Sequence, residues 1–206
     1  LSGGPGSIHL DDISAVKNII SDEWNSKNIP ILGICMGCQL IVAACDGSIE
    51  SNKLNSEYGI SSVKIEDSAM DYAIFSPHNM FIPTVENFDR IYNKKIAKNV
   101  SVWMSHKDSI VEREKGWVSD SLMVLAYSEG GSPSIIKFDE KSIYGFMFHP
   151  EVSHTRYGKT IIENFLRDVC CISTTWKTCN GLEETVSIIK DRVGESCVIM
   201  AVSGGV

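Results

Sequence analysis

Polar and apolar positions follow two different rhythms along this chain, and the changes between them outline its elements. In LDDISAVKNIISDEW, Ile13, Val16, Ile20 and Trp24 recur at helical spacing behind acidic residues suited to a helix N-terminus, which predicts an amphipathic helix. Residues 29–34 are short and apolar with Gly33 near their end, and MGCQLIVAACDG then runs on as a helix ending near Gly47. The order there is strand, sharp turn, helix. Within residues 49–67, YGISSVKIED alternates with period two and predicts strands on one side of a sheet. Residues 68–100 keep neither rhythm and read as an irregular or inserted region.

From Ser101 onward SVWM, SLMVLAYS and PSIIKF predict three short strands, the last joined through the hairpin DEKS to IYGFMFHPEV. GKTIIENFLRDVC sets Ile161, Ile162, Phe165, Leu166 and Val169 on one helical stripe that should pack against the sheet. CISTTWKTCN is a polar connector, after which GLEETVSIIKDRVG and CVIMAVSGG read as a helix feeding a new strand. A domain boundary is expected in the connector, dividing residues 1–172 from 173–206. The whole predicts an α/β domain with a central mixed sheet and flanking helices, followed by the first helix and strand of a second α/β domain.

Composition narrows the classes of function. The 206 residues are 43% hydrophobic and 22% charged, enough for a substantial core. The net charge is -7 with basic residues scattered, which leaves no electrostatic footprint for nucleic acid. The longest apolar runs, CVIMAV and LIVAAC, fall far short of the roughly 18 residues a bilayer span requires. No signal peptide opens the sequence, so no membrane partner and a cytoplasmic location are expected. Seven cysteines in such a setting read as reduced thiols. The opening LSGGPGS, without a methionine, reads as the exit of a strand, and VIMAVSGGV stops in a glycine-rich turn, so a segment of a longer chain is expected.

The chemistry concentrates at Cys35. A nucleophile that attacks a carbonyl must stand clear of the backbone on a tight strand-to-helix turn, and Gly33 and Gly37 flank Cys35 symmetrically, the thiol counterpart of a G-x-S-x-G elbow. The following helix N-terminus favours thiolate and offers the Met36 amide to a developing oxyanion, with a second donor available from Gly3-Gly4. Cys38 makes a CxxC pair geometrically possible, so a redox pair, a zinc ligand set and a buried structural cysteine stay open; no second pair at zinc spacing is present and no metal site is expected. A nucleophilic Cys needs a His to move protons and a carboxylate to orient it. His149 ends an apolar strand with Glu151 two residues on, and in extended chain the two share a face. His9 and His78 sit in polar, loop-like surroundings and read as solvated.

Taken in order, GGP, LGICMGCQL and GFMFHPEV resemble the class I glutamine amidotransferases over essentially the whole chain, lacking only the family's first strand and helix. The resemblance implies that family's three-layer fold and a triad of Cys35, His149 and Glu151, with the Gly4 and Met36 amides for the oxyanion and Gln39 at the position that recognises substrate. VWMSHKDSI resembles the W-M-S-H-G-D segment of the family's GMP-synthase branch, which implies Ser105, His106 and Asp108 at the glutamine site, with Asp108 reading the α-ammonium. Lys107 stands where that segment has glycine, and Ser56 in SEYG where the branch has arginine. HPEVSHT continues the match, and Ser203, Gly204 and Gly205 resemble the start of an ATP pyrophosphatase loop, S-G-G-x-D-S, that wraps a pyrophosphate. The implied activity is glutamine hydrolysis supplying ammonia for amination of XMP to GMP. No cofactor is implied for the glutaminase step, with ATP and Mg2+ required by the full-length enzyme, and a homodimer is compatible with this reading. A catalytically silent amidotransferase-like module, or the glutaminase of another synthase, are the alternatives.

Overall fold

The first strand ends at the elbow that the glycine spacing predicts. In the computed structural model, which describes residues 1–4, 13–21, 29–51, 56–75, 96–173 and 178–199, β1 (Ile31–Ile34) leads through Cys35 into helix α2 (Met36–Ala44), preceded by helix α1 (Ser14–Ile20). Strands β2 (Ser48–Ser51), β3 (Glu57–Ile65), β4 (Asn99–His106), β5 (Asp108–Val111), β6 (Leu122–Ser128), β7 (Pro133–Phe138) and β8 (Ile143–Phe146) follow, then helices α3 (Gly158–Asn164) and α4 (Thr178–Val193). The chain divides into two compact units, Leu1–Cys171 and Ile172–Val206.

The first unit is built on a mixed six-stranded sheet in the order β1-β8-β7-β6-β3-β4. Only β1 and β8 pair in parallel, with Gly33 opposite Gly145 and Ile34 opposite Phe146; the other pairs are antiparallel. Leu1 extends the order beyond β1, donating its terminal amine to the Leu32 carbonyl at 2.8 Å and accepting the Ile34 amide at 3.0 Å.

Alternation along the strands splits the core between the two faces. Ile136 and Ile143 join Cys38, Ile41 and Val42 of α2 and Val16 and Ile20 of α1 on one face. Ile135, Tyr144 and Phe146 join Ile161 of α3 and Phe165 on the other. Helix, sheet and helix form the three layers expected of an α/β domain.

Several expectations are corrected. Residues 49–67 do not share one sheet, because β2 pairs antiparallel with β5 in a separate two-stranded sheet while β3 joins the main one. That second sheet forms because Asp108–Val111, read only as a motif, is itself a strand. The helical stripe after residue 158 is broken: at Phe165–Val169 the coil widens to a π-turn, which rotates Leu166 outward to 41% exposure, while Asn164 is buried and donates to the Ile74 carbonyl at 3.0 Å. Of the region read as irregular, Asp67–Ala69 is a short 3-10 turn, and Ile74 and Phe75 are fully buried; residues 76–95, with His78, lie outside the described residues, as do His9 and Trp24.

In the second unit α4 begins at Thr178, inside the stretch read as a connector, and ends where Gly194 turns to a φ of 52° and donates to the Lys190 carbonyl. Residues 196–199 pair with no strand among the described residues, and Ser203, Gly204 and Gly205 lie outside them.

Candidate active site

Cys35 sits in a conformation that ordinary residues avoid, with φ 51° and ψ -110°. Such a backbone costs about 1–3 kcal/mol and persists only where its surroundings hold it. They do so here. The Cys35 amide continues the β1–β8 ladder by donating to the Phe146 carbonyl at 2.7 Å, and its carbonyl starts α2 by accepting the amides of Cys38 and Gln39. The flanking glycines are obligatory for close approach. A Cβ on Gly33 would stand 2.6 Å from both the Gly37 carbonyl oxygen and Ile41 Cδ1, and one on Gly37 would overlap the Leu1 carbonyl.

The two cysteines of the CxxC stretch face different surroundings. Cys35 Sγ donates toward the Ser105 carbonyl at 3.7 Å. Cys38 is fully buried, its sulfur packed where a side chain on Gly145 would lie. Burial pushes the Cys38 thiol well up, so it stays protonated and inert. Among the described residues no group of three or more His, Cys, Asp or Glu side chains is placed to hold a metal ion.

His149 and Glu151 do meet, with Nδ1 and Oε1 2.6 Å apart, but not along a strand as expected: β8 ends at Phe146, and Pro150 and Glu151 lie in a turn that brings the carboxylate back to the ring. That contact occupies Nδ1 and leaves the Nε2 edge of the ring for other work. The imidazole and Cys35 both border Gly3: a Cβ on Gly3 would lie 3.4 Å from His149 Cε1 and 3.5 Å from Cys35 Cβ. Gly4 is next to Met36, whose side chain would touch a Cβ placed there at 3.1 Å. The Gly3-Gly4 turn, β1 and β8 therefore bring Cys35, His149 and Glu151 together with the two backbone segments expected to serve an oxyanion.

The thiol itself departs from expectation. Burial, with Cys35 only 7% exposed, pushes it up; the Met36 amide pulls it down, and the Glu151 charge pushes it up again. Desolvation outweighs the helix terminus. At rest Cys35 is therefore a thiol and not the thiolate that its helix terminus suggests.

The segment 105–108 lies across the elbow. Gln39 is buried and donates Nε2 to the Asp108 carbonyl at 3.1 Å, and Asp108 is buried beside it. Ser105 is exposed, whereas His106 turns inward to Glu57, its cross-strand partner, with Nε2 3.6 Å from Oε2. Neither ring nitrogen of His106 has a hydrogen-bond partner among the described residues. Lys107 is exposed and outside the left-handed region, so it replaces glycine without backbone strain.

Two features of the site are not legible in the sequence. Glu57 stands there only as part of SEYG, and its pairing with His106 depends on the β3–β4 register. Thr155 stands in HPEVSHT without a role, and its hydroxyl proves to be bound to the backbone of His149.

Two groups elsewhere in the domain, a half-buried cysteine and a buried tyrosine, tie its stability to pH. Cys45, at the end of α2, is pushed up to about 11, mainly by burial, and Tyr144 to about 12, again mainly by burial. Above the ordinary cysteine value of about 8.5 the unfolded chain loses protons that the folded chain keeps, so stability falls with rising pH until the folded groups also titrate. A thermal midpoint followed by circular dichroism should drop steadily between about pH 9 and 11, and less steeply in Cys45→Ala.

Known proteins share this fold. The chain belongs to the class I glutamine amidotransferases, whose family model matches residues 1–169. It is 32% identical over 206 residues to the GMP synthase [glutamine-hydrolyzing] of Petrotoga mobilis, covering 100% of this chain and 34% of that protein. The corresponding protein of Clostridium kluyveri is 34% identical over 205 residues, with the same coverage of 100% and 34%. Among solved structures, a Thermoplasma acidophilum protein described as a GMP synthase component superposes with a TM-score of 0.61 at 26% identity, over 89% of this chain and 74% of that one. The chain spans about a third of the length of the curated relatives it matches. Among the described residues no helix is long and apolar enough to cross a membrane.

Proposed function

We propose that this domain hydrolyses the side-chain amide of glutamine and supplies the ammonia for amination of XMP to GMP. The observation that carries the first half is the meeting of a strained Cys35 elbow with a His149 whose Nδ1 is held by Glu151 at 2.6 Å. In this reading Nε2 of His149 takes the Cys35 proton while Sγ attacks the amide carbon. The Met36 and Gly4 amides receive the oxyanion. The same imidazole then protonates the departing ammonia and activates the water that cleaves the γ-glutamyl thioester. Because the resting thiol is held protonated by burial, proton transfer to His149 belongs to the attack itself. Gln39, Ser105 and Asp108 are read as meeting the glutamine, with His106 beside them in the same segment.

The second half rests on the relatives' names and on the continuous match to them. ATP and Mg2+ would act in the remainder of the full-length protein, with residues 173–206 and Ser203, Gly204 and Gly205 opening that region. A cytoplasmic setting fits this assignment. The test is GMP formation by the full-length protein from XMP and ATP, with glutamine or ammonium as nitrogen donor. Product with both donors supports the assignment. Glutamate release without GMP from either donor would remove the XMP step and leave a glutaminase of another synthase.

A further inference from the structure

We propose that Thr155 is a positioning residue for His149, acting as a clasp that fixes the imidazole against the nucleophile; this rests on the glutaminase reading given above. The clasp is a closed set of hydrogen bonds. The His149 amide donates to the Trp103 carbonyl at 3.0 Å. The Trp103 amide in turn donates to Thr155 Oγ1 at 3.0 Å, and that hydroxyl donates its own proton to the His149 carbonyl at 2.5 Å. Both backbone groups of His149 are thus tied to one residue of β4, directly on one side and through a side-chain hydroxyl on the other. His149 lies beyond the end of β8, where the β-ladder no longer fixes the chain.

The hydroxyl is suited to this because it is donor and acceptor at once, and Thr155 is only 5% exposed, so water does not readily replace it. The surrounding loop is braced in the same direction. Thr155 donates its amide to the Val152 carbonyl at 3.1 Å and accepts from the Gly158 amide at 3.2 Å, and Arg156 donates to the Ser101 carbonyl at 2.9 Å. The ring of His154 lies 4.7 Å from that of Trp103, between centroids. Gly158 admits the Pro150 carbonyl so closely that any side chain there would collide with it. Glu151 fixes which way the imidazole is turned; Thr155 fixes where it is.

Thr155→Val keeps the shape and removes the hydroxyl. In the full-length protein, glutamine-driven GMP formation should lose about 10- to 100-fold in kcat with KM changed little, since small misplacements of a catalytic group cost that much. The ammonium-driven rate should stay at the wild-type level, and Thr155→Ser should restore most of the loss. Alkylation of Cys35 by iodoacetamide provides a second reading. Its pH profile in Thr155→Val should move toward that of His149→Asn, which a residue serving stability alone would not cause. If Thr155→Val lowers the ammonium-driven rate as well, the alkylation profile of Thr155→Ala decides in the same way. A Val variant that keeps glutamine-driven kcat within about twofold of wild type, or a Ser variant that restores nothing, overturns the clasp. Full glutamine-driven activity in Cys35→Ala would instead overturn the glutaminase reading beneath it.

Discussion

Cys35→Ala in the full-length protein is expected to abolish GMP formation from glutamine, by at least ~1000-fold, while GMP formation from ammonium continues. The magnitude follows from what is removed. In the proposed mechanism no thioester can form without the sulfur, and the Met36 and Gly4 amides would be left to polarise an amide that only water can attack, a far slower reaction. Selectivity follows from the position of Cys35, buried between β1 and α2 and enclosed by Gly3, Ser105 and Phe146. Alanine fits the same space and keeps every backbone bond of the elbow, so the fold should survive. Parallel assays with the two donors check this, and equal loss with both would mean that the substitution had damaged more than the nucleophile.

Gly33→Ala is expected to be nearly as severe, and to act through structure. The new methyl would meet the Gly37 carbonyl and Ile41 Cδ1 at 2.6 Å, and although the end of the Ile41 side chain can shift, the backbone carbonyl cannot yield without opening the turn. Overpacking of this kind costs ~3 kcal/mol, a large part of the stability of an ordinary domain. The elbow would also relax away from the φ of 51° that presents the sulfur. Thermal melts should show a clear drop in midpoint, and Cys35 alkylation should lose its dependence on the neighbouring His149. Gly145→Ala is a useful companion, because its methyl would strike the Cys38 sulfur, again at 2.6 Å, from the opposite strand. It should lower stability while leaving the elbow's own backbone path intact.

The parts of this site legible in the sequence are those set by short-range geometry. Glycines two before and two after Cys35 state that the chain turns sharply there, and the H-x-E spacing keeps His149 and Glu151 within reach of each other, although they meet in a turn beyond β8 and not on an extended strand. Period-two and helical rhythms likewise place β6, β7 and α2 close to their actual bounds and β8 at its actual start, whereas β8 ends six residues sooner than the apolar run suggests. What stays hidden depends on register between distant strands. The pairing of Glu57 with His106 and of β2 with β5 follows from how β3 and β5 are aligned, which no local pattern specifies. Leu166 misleads for a related reason: a helical stripe assumes an unbroken coil, and one widened turn moves its end to the surface. Thr155 is invisible in the sequence because its hydroxyl links the backbone of His149, 6 residues before it, to that of Trp103, 52 residues before it, and no motif spans that separation.

The elevated Cys35 thiol also bears on how the site works. A buried thiol resists ionisation, which protects it from adventitious electrophiles when no substrate is present. Under the proposed mechanism, substrate would have to bring together the amide carbon, the Met36 and Gly4 amides and His149 before the proton leaves. Glu151 pushes the thiol up through its charge and holds the imidazole through Nδ1. In the proposed mechanism one carboxylate thus disfavours premature thiolate and would favour an imidazolium formed on attack.

The most direct measurement is an acid quench of the full-length protein during turnover of isotopically labelled glutamine, followed by peptide mapping. A γ-glutamyl group is expected on the peptide carrying Cys35 and on no other cysteine. Labelled glutamate released at the full rate with no adduct there, or an adduct on Cys38 instead, would contradict the role proposed for Cys35.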